Sequence, residues 1–196
     1  SRTFNRRFSL RITRLLAPTA VTPNMVTILS FLTAAAAAVS FALTQPFLGG
    51  VLAQLASILD GVDGEISRLK FLRSRFGEIL DSILDRYGDY LIVIGMVYSW
   101  YCATGHTTAL VAGAAALTGM PMSMLFKEKF QNVLGQPFTP EIHDGIMRYF
   151  PANRDGRLFI IMLGGILNLL PAALVLLAVG THLQTFIRLY NVRKSN

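Results

Sequence analysis

Residues 60–85 of the chain read DGVDGEISRLKFLRSRFGEILDSILD. Asp60 and Asp63 lie three residues apart, and Asp81 and Asp85 lie four apart. Both spacings place the two carboxylates of a pair on one face of a helix. Apolar sequence precedes the first pair and follows the second. Four unpaired carboxylates close together would repel one another, and in this apolar setting they would be costly to desolvate. A bound divalent cation removes both problems, and the stretch therefore predicts a metal site.

The composition of the whole chain is typical of a membrane protein. Of its 196 residues, 53% are hydrophobic and only 15% are charged, whereas soluble proteins are charged at roughly 25% of positions. The apolar residues fall in long blocks, which favours a membrane bundle over a soluble core. The net charge is +7, but the arginines are not interleaved with base-stacking aromatic residues. Attraction to anionic head groups or phosphorylated substrates is therefore favoured over nucleic-acid binding.

The order of apolar and polar blocks predicts an all-α integral membrane protein with six transmembrane helices, preceded by an N-terminal amphipathic interfacial helix. We divide the chain into an amphipathic juxtamembrane helix, residues 1–20, and a six-helix domain, residues 21–196. The predicted spans are 24–44, 47–70, 76–103 and 109–126, with 157–188 divided into two shorter helices near 168–171. Residues 127–155 are predicted to be a surface loop with short helical pieces.

The N-terminal helix has the pattern of a helix that lies at the head-group level of a membrane. Its apolar residues fall on one side and its arginines fall elsewhere. The apolar set is Phe4, Phe8, Ile12 and Leu15, and the basic set is Arg6, Arg7, Arg11 and Arg14. The alternative is an ordinary packing helix. The interfacial interpretation is preferred because an apolar segment follows at once.

Charge placement decides the number of spans and the orientation. With six helices, all 18 Lys and Arg residues lie at or near one face, and the opposite turns (45–46, 104–108 and 168–171) carry no charge. This distribution follows the positive-inside rule. With five helices, Arg188, Arg193 and Lys194 would lie on the wrong side. We therefore predict a multi-pass protein of the cell membrane whose four aspartates face the cytoplasm, near the inner ends of the second and third spans.

The residues around the aspartates indicate a diphosphate substrate on a metal centre. Carboxylate oxygens are hard ligands that select Mg²⁺, Mn²⁺ or Ca²⁺ over Zn²⁺, and four carboxylates can hold the paired ions that displacement at phosphorus uses. The glycines leave room for phosphates near the backbone, or alternatively permit helix packing. The basic residues offset phosphate charge, or alternatively anchor the chain to head groups. These residues are Gly61, Gly64 and Gly77, and Arg68, Lys70, Arg73 and Arg75.

The stretch closely resembles the signature of the CDP-alcohol phosphotransferases, also called CDP-alcohol phosphatidyltransferases. In this chain the signature reads Asp60-x2-Asp63-Gly64-x2-Ser67-Arg68-x8-Gly77-x3-Asp81-x3-Asp85. Seven of its eight fixed positions match with the right gaps. Ser67 stands where the family usually has alanine, which is also small. The resemblance extends to Thr22-Pro23-Asn24 before the first span and to the six helices.

The resemblance implies a reaction and a role for each matching residue. The acceptor hydroxyl attacks the β-phosphorus of a CDP-alcohol and CMP leaves. Asp60, Asp63 and Asp81, with Asp85 contributing, would hold two Mg²⁺ or Mn²⁺ ions, a site that Ca²⁺ can also occupy. Asp85 would also be the general base, which makes it the catalytic residue. The implied CDP-binding residues are Asn24, Thr27, Gly64, Arg68, Ser74 and Gly77. The resemblance also implies a homodimer.

The acceptor is less well defined by the sequence. A phosphorylated acceptor would suit the cytoplasmic cations Lys127, Lys129, Arg148, Arg154, Arg157 and Arg193, joined by Lys194. Membrane anchoring is an alternative of equal weight. The sequence around the signature is most similar to the archaeal and thermophile branch that joins CDP-inositol to inositol phosphate, the di-myo-inositol phosphate phosphate synthase type. That branch is often fused to a cytidylyltransferase domain. The alternative is a phospholipid synthase that uses CDP-diacylglycerol with inositol phosphate or glycerol phosphate.

Two other classes of protein use acidic residues in a membrane. A membrane prenyltransferase also places aspartates and Mg²⁺ on a diphosphate, but its motifs are tighter and lack this glycine and arginine framework. An ion-conducting or transport bundle would carry charge through the full membrane depth, whereas the outer half of this chain is uncharged. Neither class is expected to release CMP from a CDP-alcohol.

Overall fold

The computed structural model describes residues 2–139, 144–145, 147 and 153–195, except for the side chains of residues 2–4, 194 and 195. This part of the chain is built from α-helices. The long helices are α1 (Arg2–Leu16), α2 (Pro23–Ala42), α3 (Pro46–Leu69), α4 (Arg75–Thr104), α5 (Thr108–Leu134), α6 (Arg154–Ile166) and α7 (Leu170–Ser195). The predicted helix order is confirmed, and the break between the last two helices falls beside Asn168, which has a φ of 55°.

Capping residues and prolines explain where the helices begin. Thr22 caps α2 by accepting from the backbone N–H of Met25 at 3.4 Å, and Pro23 occupies the first turn, where its missing N–H is harmless. Ser74 caps α4 in the same way, accepting from the N–H of Gly77 at 3.0 Å. These caps fix the two helix starts that lie beside the predicted site.

The predicted end of the helix at residue 126 is wrong. Residues 127–134 were expected to belong to a surface loop, but α5 continues through them and ends at Gly135, whose φ of 63° is left-handed. Lys127 and Lys129 therefore lie on a helix. The polarity of this segment resembles a loop, yet no residue between 126 and 134 interrupts helical hydrogen bonding. The break comes at the first glycine instead.

Small residues allow the helices to approach closely. A methyl group on Gly165 would lie 2.9 Å from the Cα of Gly50, so α6 and α3 are almost in backbone contact. A methyl group on Gly88 would lie 3.0 Å from the side chain of Ala34, where α4 crosses α2. Such close crossings are typical of helices that pack within a membrane. The helix α2 packs against both α3 and α4, and so it connects the two acidic segments.

Four helices are long and apolar enough to cross a membrane: α2, α3, α5 and, up to residue 193, α7. The helix α4 has 30 residues but carries acidic residues through its first half, and α6 has only 13 residues. Large apolar side chains such as Leu32 and Val39 on α2 are more than half exposed, as expected for a surface that faces lipid. The finer count of six spans stays a prediction.

The N-terminal helix binds the bundle through a polar stripe. Asn5, Ser9 and Thr13 lie four residues apart and are buried against α3. Asn5 Nδ2 donates to Ser57 Oγ at 2.9 Å. The hydroxyls of Ser9 and Thr13 donate to the two carboxylate oxygens of Glu65 at 2.8 and 2.7 Å. The helix thus packs through small polar residues, which the sequence analysis had placed in neither its apolar nor its basic set.

The predicted apolar side of α1 is divided between packing and exposure. Ile12 packs against a small apolar cluster that includes Val26, Val62 and Ile66. Phe8 and Leu15 are exposed, and the side chain of Phe4 lies outside the described residues. An exposed apolar edge is compatible with a membrane surface, but the interfacial position of α1 stays a prediction.

Candidate metal centre and nucleotide site

Three of the four predicted metal ligands lie together. Ligand oxygens of Asp60 and Asp63 on α3 and of Asp81 on α4 are all within 4.8 Å of one another. The spacing of Asp60 and Asp63 puts both on the side of α3 that faces the other acidic helix. The hydroxyl of Thr27 on α2 donates to Asp63 Oδ2 at 2.6 Å, which fixes the most buried of the three carboxylates.

This donor set fits a divalent cation. Asp81 Oδ1 is buried and has no hydrogen-bond partner among the described residues. Leaving a buried charged oxygen unpartnered is costly, and a metal ion is the partner that three converging carboxylates suit best. All the donors are hard oxygens, which favours Mg²⁺, Mn²⁺ or Ca²⁺. The three-aspartate group is therefore able to hold a metal.

Asp85 joins this group through an arginine. Arg154, the first residue of α6, places Nη2 at 2.9 Å from Asp85 Oδ1 and Nη1 at 2.7 Å from Asp60 Oδ1. Its Nε lies 3.3 Å from Asp89 Oδ1, one helical turn beyond Asp85. One guanidinium therefore contacts three carboxylates, two of which belong to the predicted metal quartet.

Asp89 was not singled out as functional by the sequence analysis, although both of its arginine partners were. Asp89 is 4% exposed and accepts from Arg157 Nη2 at 2.8 Å as well as from Arg154. Asp89 continues the four-residue spacing of Asp81 and Asp85, and this spacing is the signal that could have revealed it. Its pairing with residues more than 60 positions away depends on the packing of α6 and could not be inferred.

A small cavity of about 90 Å³ adjoins the clustered aspartates. It has room for ordered water or for part of a phosphate-bearing ligand. Its lining includes five of the six predicted CDP-binding residues, namely Asn24, Thr27, Gly64, Ser74 and Gly77, together with Asp63 and Asp81. The N-terminal turns of α2 and α4 and the last turns of α3 thus converge on one cavity, as the family signature implies.

The three glycines of the stretch have different structural roles, although the sequence offered the same two interpretations for all of them. A methyl group on Gly64 would meet only Arg68 Nη2, at 3.8 Å, so this glycine leaves open space at the cavity. A methyl group on Gly77 would lie 3.0 Å from Asn24 Oδ1 and from Ser74 Oγ. Gly61 instead faces Ser9 of α1. Room for a ligand is therefore supported at Gly64, and helix packing at Gly61.

Arg68 is the one predicted CDP-binding residue that does not line the small cavity. It lines a larger crevice of about 1040 Å³ between α1 and α3, whose other basic residues are Arg6 and Arg14. Lys70, which was expected to offset phosphate charge, donates instead to the backbone carbonyls of Thr19 and Val21 at 2.7 and 2.9 Å. It thereby holds the connection between α1 and α2.

The predicted acceptor residues lie in different surroundings. Arg154 and Arg157 meet the carboxylates described above. Lys127 lies over the ring of Phe138, with Nζ 5.6 Å from the ring centre, and Lys129 is exposed on the same helix. Arg193 is exposed near the end of α7. Arg148 and the side chain of Lys194 lie outside the described residues.

The sequence analysis did not single out the buried ion pair of Arg188. Arg188 on α7 donates through Nε and Nη2 to the two oxygens of Asp144 at 2.5 and 3.1 Å. Its Nη1 contacts the backbone carbonyl and the hydroxyl of Ser123 at 2.6 and 2.8 Å. Residues 144, 123 and 188 belong to three separate segments, so the sequence gives no signal for this cluster.

Known proteins resemble this chain over most of its length. A sequence profile described as CDP-alcohol phosphatidyltransferase matches residues 20–186. A "bifunctional IPC transferase and DIPP synthase" of Aquifex aeolicus is 35% identical over 99% of this chain, and the chain spans 44% of that protein. An "archaetidylinositol phosphate synthase" of Pyrococcus horikoshii is 28% identical, with 94% of this chain and 90% of that protein covered. The chain thus spans less than half of the bifunctional relative.

The fold also matches a solved structure. The phosphatidylinositol phosphate synthase of Mycobacterium tuberculosis, solved with CDP-DAG bound, superposes with a TM-score of 0.75 at 23% identity, covering 95% of this chain and 94% of that one. The mycobacterial protein has also been solved in complex with manganese and citrate, with a TM-score of 0.71, 23% identity and coverage of 94% and 88%. At this identity the likeness establishes the fold. The profile match over residues 20–186 shows that the chain belongs to the CDP-alcohol phosphatidyltransferase family.

Proposed function

We propose that the chain is a membrane transferase that moves a substituted phosphate group from a CDP-alcohol to an acceptor hydroxyl and releases CMP. The observation that carries this proposal is the convergence of Asp60, Asp63 and Asp81 beside a cavity lined by signature residues. Family membership supplies the reaction class. The geometry supports this cavity as the place where a diphosphate would meet cations.

The residues would divide the work as follows. Asp60, Asp63 and Asp81 hold two divalent cations, with Asp85 as a further ligand. Bound Mg²⁺ or Mn²⁺ would neutralise the diphosphate and stabilise the departing phosphate. Asp85 accepts the proton of the acceptor hydroxyl, whose oxygen forms a bond to the β-phosphorus as the bond to the bridging oxygen of CMP breaks. The CDP moiety is bound by Asn24, Thr27, Gly64, Arg68, Ser74 and Gly77.

For the substrates we propose CDP-inositol as donor and inositol phosphate as acceptor. The similarity to the bifunctional Aquifex protein over nearly the whole chain supports this pair. The alternative is a phospholipid synthase that takes CDP-diacylglycerol with inositol phosphate or glycerol phosphate, which the Pyrococcus relative and the mycobacterial fold support. In both cases the acceptor phosphate would be bound by cations from Lys127, Lys129, Arg148, Arg154, Arg157 and Arg193.

The membrane arrangement that we propose has six spans within residues 21–196 and an interfacial helix within residues 1–20. It places the aspartates at the cytoplasmic face of the cell membrane. The support comes from the uncharged turns at 45–46 and 168–171 and from the basic residues at the other helix ends. We further propose a homodimer, and a fused or associated cytidylyltransferase domain, since the bifunctional relative is more than twice as long as this chain.

The transferase is tested by product analysis of the purified protein with Mg²⁺. CDP-inositol and CDP-diacylglycerol are each offered with inositol phosphate, glycerol phosphate and unphosphorylated inositol, and products are identified by mass. We expect CMP release with CDP-inositol and inositol phosphate, and none with unphosphorylated inositol. Release from CDP-diacylglycerol alone would select the phospholipid alternative. Absence of CMP with every pair, with ion flux in proteoliposomes, would contradict the transferase itself.

The orientation has its own test. Cys102 is the single cysteine of the chain, lies near the end of α4 and is exposed. In the proposed topology it faces the outside, so a membrane-impermeant maleimide should label it in intact cells. A serine at position 102 gives the matched unlabelled control. Labelling only after the membrane is permeabilised would show that the orientation is opposite to the proposed one.

A further inference from the structure

Arg154 lies where two of the proposed metal ligands meet. Its Nη1 is 2.7 Å from Asp60 Oδ1, and its Nη2 is 2.9 Å from Asp85 Oδ1. Asp60 also belongs to the group of three aspartates whose oxygens converge within 4.8 Å. A second ion placed between Asp60 and Asp85 would need oxygens of both carboxylates. The guanidinium already contacts one oxygen of each.

The contacts of Arg154 with Asp89 and with Asp60 are not equivalent. The contact of its Nε with Asp89 is a hydrogen bond of 3.3 Å. The contact of Nη1 with Asp60 is short but lacks hydrogen-bond geometry, since Nη1 has no hydrogen-bond partner among the described residues. Asp89 is itself held by the buried Arg157. Arg154 is thus anchored at Asp89, and its attraction to Asp60 is chiefly electrostatic.

Electrostatics makes the two cations mutually exclusive. A divalent ion between Asp60 and Asp85 would stand a few ångströms from the guanidinium, where like charges repel strongly in a partly buried site. Asp63 and Asp81 carry no ion pair with Arg154. An ion held mainly by these two aspartates and the other side of Asp60 is compatible with Arg154 in place.

We infer that Arg154 is an internal cation that competes with the second divalent ion for Asp60 and Asp85. The chain then binds one ion readily and a second ion only when the guanidinium gives up its contacts with these two carboxylates. Asp89 retains the arginine near the site, so that the exchange is reversible. This inference rests on the metal-binding part of the proposed function, and it assigns Arg154 a role apart from the binding of acceptor phosphate.

Titration with Mn²⁺ tests the inference without any substrate. Free Mn²⁺ is measured by electron paramagnetic resonance against the purified wild type, R154Q, R154K and R86Q. Arg86 is the control for a nearby positive charge, because it lies close enough to act on Asp81 but forms its ion pair with Glu128 and contacts neither Asp60 nor Asp85. All four proteins are first compared by thermal unfolding.

The wild type should show one tight Mn²⁺ site and one weak site. In R154Q the second site should bind about 10-fold more tightly, an effect within the range usual for two binding events that oppose each other. R86Q should match the wild type, and R154K, which keeps the charge but loses the two-armed contact, should fall between them. If R154Q does not fold, R154K alone must still tighten the second site.

An R154Q or R154K isotherm that coincides with the wild type, or an equal tightening in R86Q, would overturn the competition. Two tight sites in the wild type would overturn it as well. Failure of the proposed function gives a different result, namely wild-type protein that binds no Mn²⁺ at all. The two hypotheses can therefore fail separately.

Discussion

Two largely buried arginines in this bundle meet carboxylates in opposite ways. Arg188 has a side chain that is 1% exposed, and its donors are taken up by both oxygens of Asp144 and by Ser123, with the ring of Phe138 4.8 Å from its guanidinium carbon. Arg154 is 14% exposed and is shared among Asp60, Asp85 and Asp89, with one donor nitrogen lacking a hydrogen bond. The first arrangement is saturated, and the second can exchange partners.

This difference separates a structural ion pair from a functional one. Charges in a low-dielectric interior are tolerated when every donor and acceptor is engaged, and such clusters hold segments in place. A carboxylate group that is incompletely engaged retains affinity for a further cation. The saturated cluster joins α5, α7 and the connection that leads to α6, while the shared cluster lies where α3, α4 and α6 converge.

The largest effect should come from the shared cluster. Asp81→Ala removes the carboxylate whose buried oxygen has no hydrogen-bond partner among the described residues. We expect CMP release to fall below detection and Mn²⁺ binding to weaken, because three converging ligands become two. Both are measured on purified protein.

The control is Glu128→Ala, which removes an exposed carboxylate that pairs with Arg86. It should retain both transfer and Mn²⁺ affinity. If Asp81→Ala still binds Mn²⁺ as the wild type does, the cluster is not the metal centre.

Asp85→Asn tests the division of labour within the acidic set. As general base, Asp85 should account for about 10²–10⁴-fold in kcat, while the affinity for the CDP-alcohol changes little. Asp60→Ala should weaken that affinity as well as transfer. Single-turnover rates and equilibrium binding of the donor separate the two effects. An equal loss of donor affinity in both variants would contradict the assignment of the base.

Arg188→Met tests the saturated cluster. It leaves Asp144 buried without its partner, which should cost about 3–5 kcal/mol in the free energy of unfolding. The double variant Arg188→Met with Asp144→Leu should recover part of this loss, because it removes both charges. Denaturant unfolding in detergent gives these values.

Metal provides the contrast between the two clusters. A ligand that binds only the folded state stabilises that state, so Mn²⁺ should raise the stability of the wild type. It should not restore the stability that Arg188→Met loses, since none of the partners of Arg188 is one of the clustered aspartates. Rescue of Arg188→Met by Mn²⁺ would mean that the two arginine clusters do not differ in the way proposed.

The same contrast explains which parts of the molecule could be predicted. Asp60, Asp63 and Asp81 were found because repulsion among acids in an apolar setting is a local, readable signal. The predicted starts at residues 24 and 76 lie within one residue of the observed starts of α2 at Pro23 and α4 at Arg75, because caps and prolines act within one turn. The pairs of Asp89 with Arg157 and of Asp144 with Arg188 join distant segments and depend on how the helices pack. The end of α5 was missed because polar composition was given more weight than the absence of a helix breaker.

Glu65 provides the smallest and sharpest test, because it is a saturated carboxylate inside the acidic stretch itself. It accepts from Ser9 and Thr13 of α1, and it lies only two residues after Asp63. Glu65→Gln should cost about 1 kcal/mol in the free energy of unfolding, since a neutral amide still accepts one of the two hydrogen bonds. Mn²⁺ affinity and CMP release should stay at the wild-type level. A loss of Mn²⁺ binding in Glu65→Gln would show that saturation by hydroxyl donors does not exclude a carboxylate from the metal centre, and the distinction between the two kinds of cluster would fail.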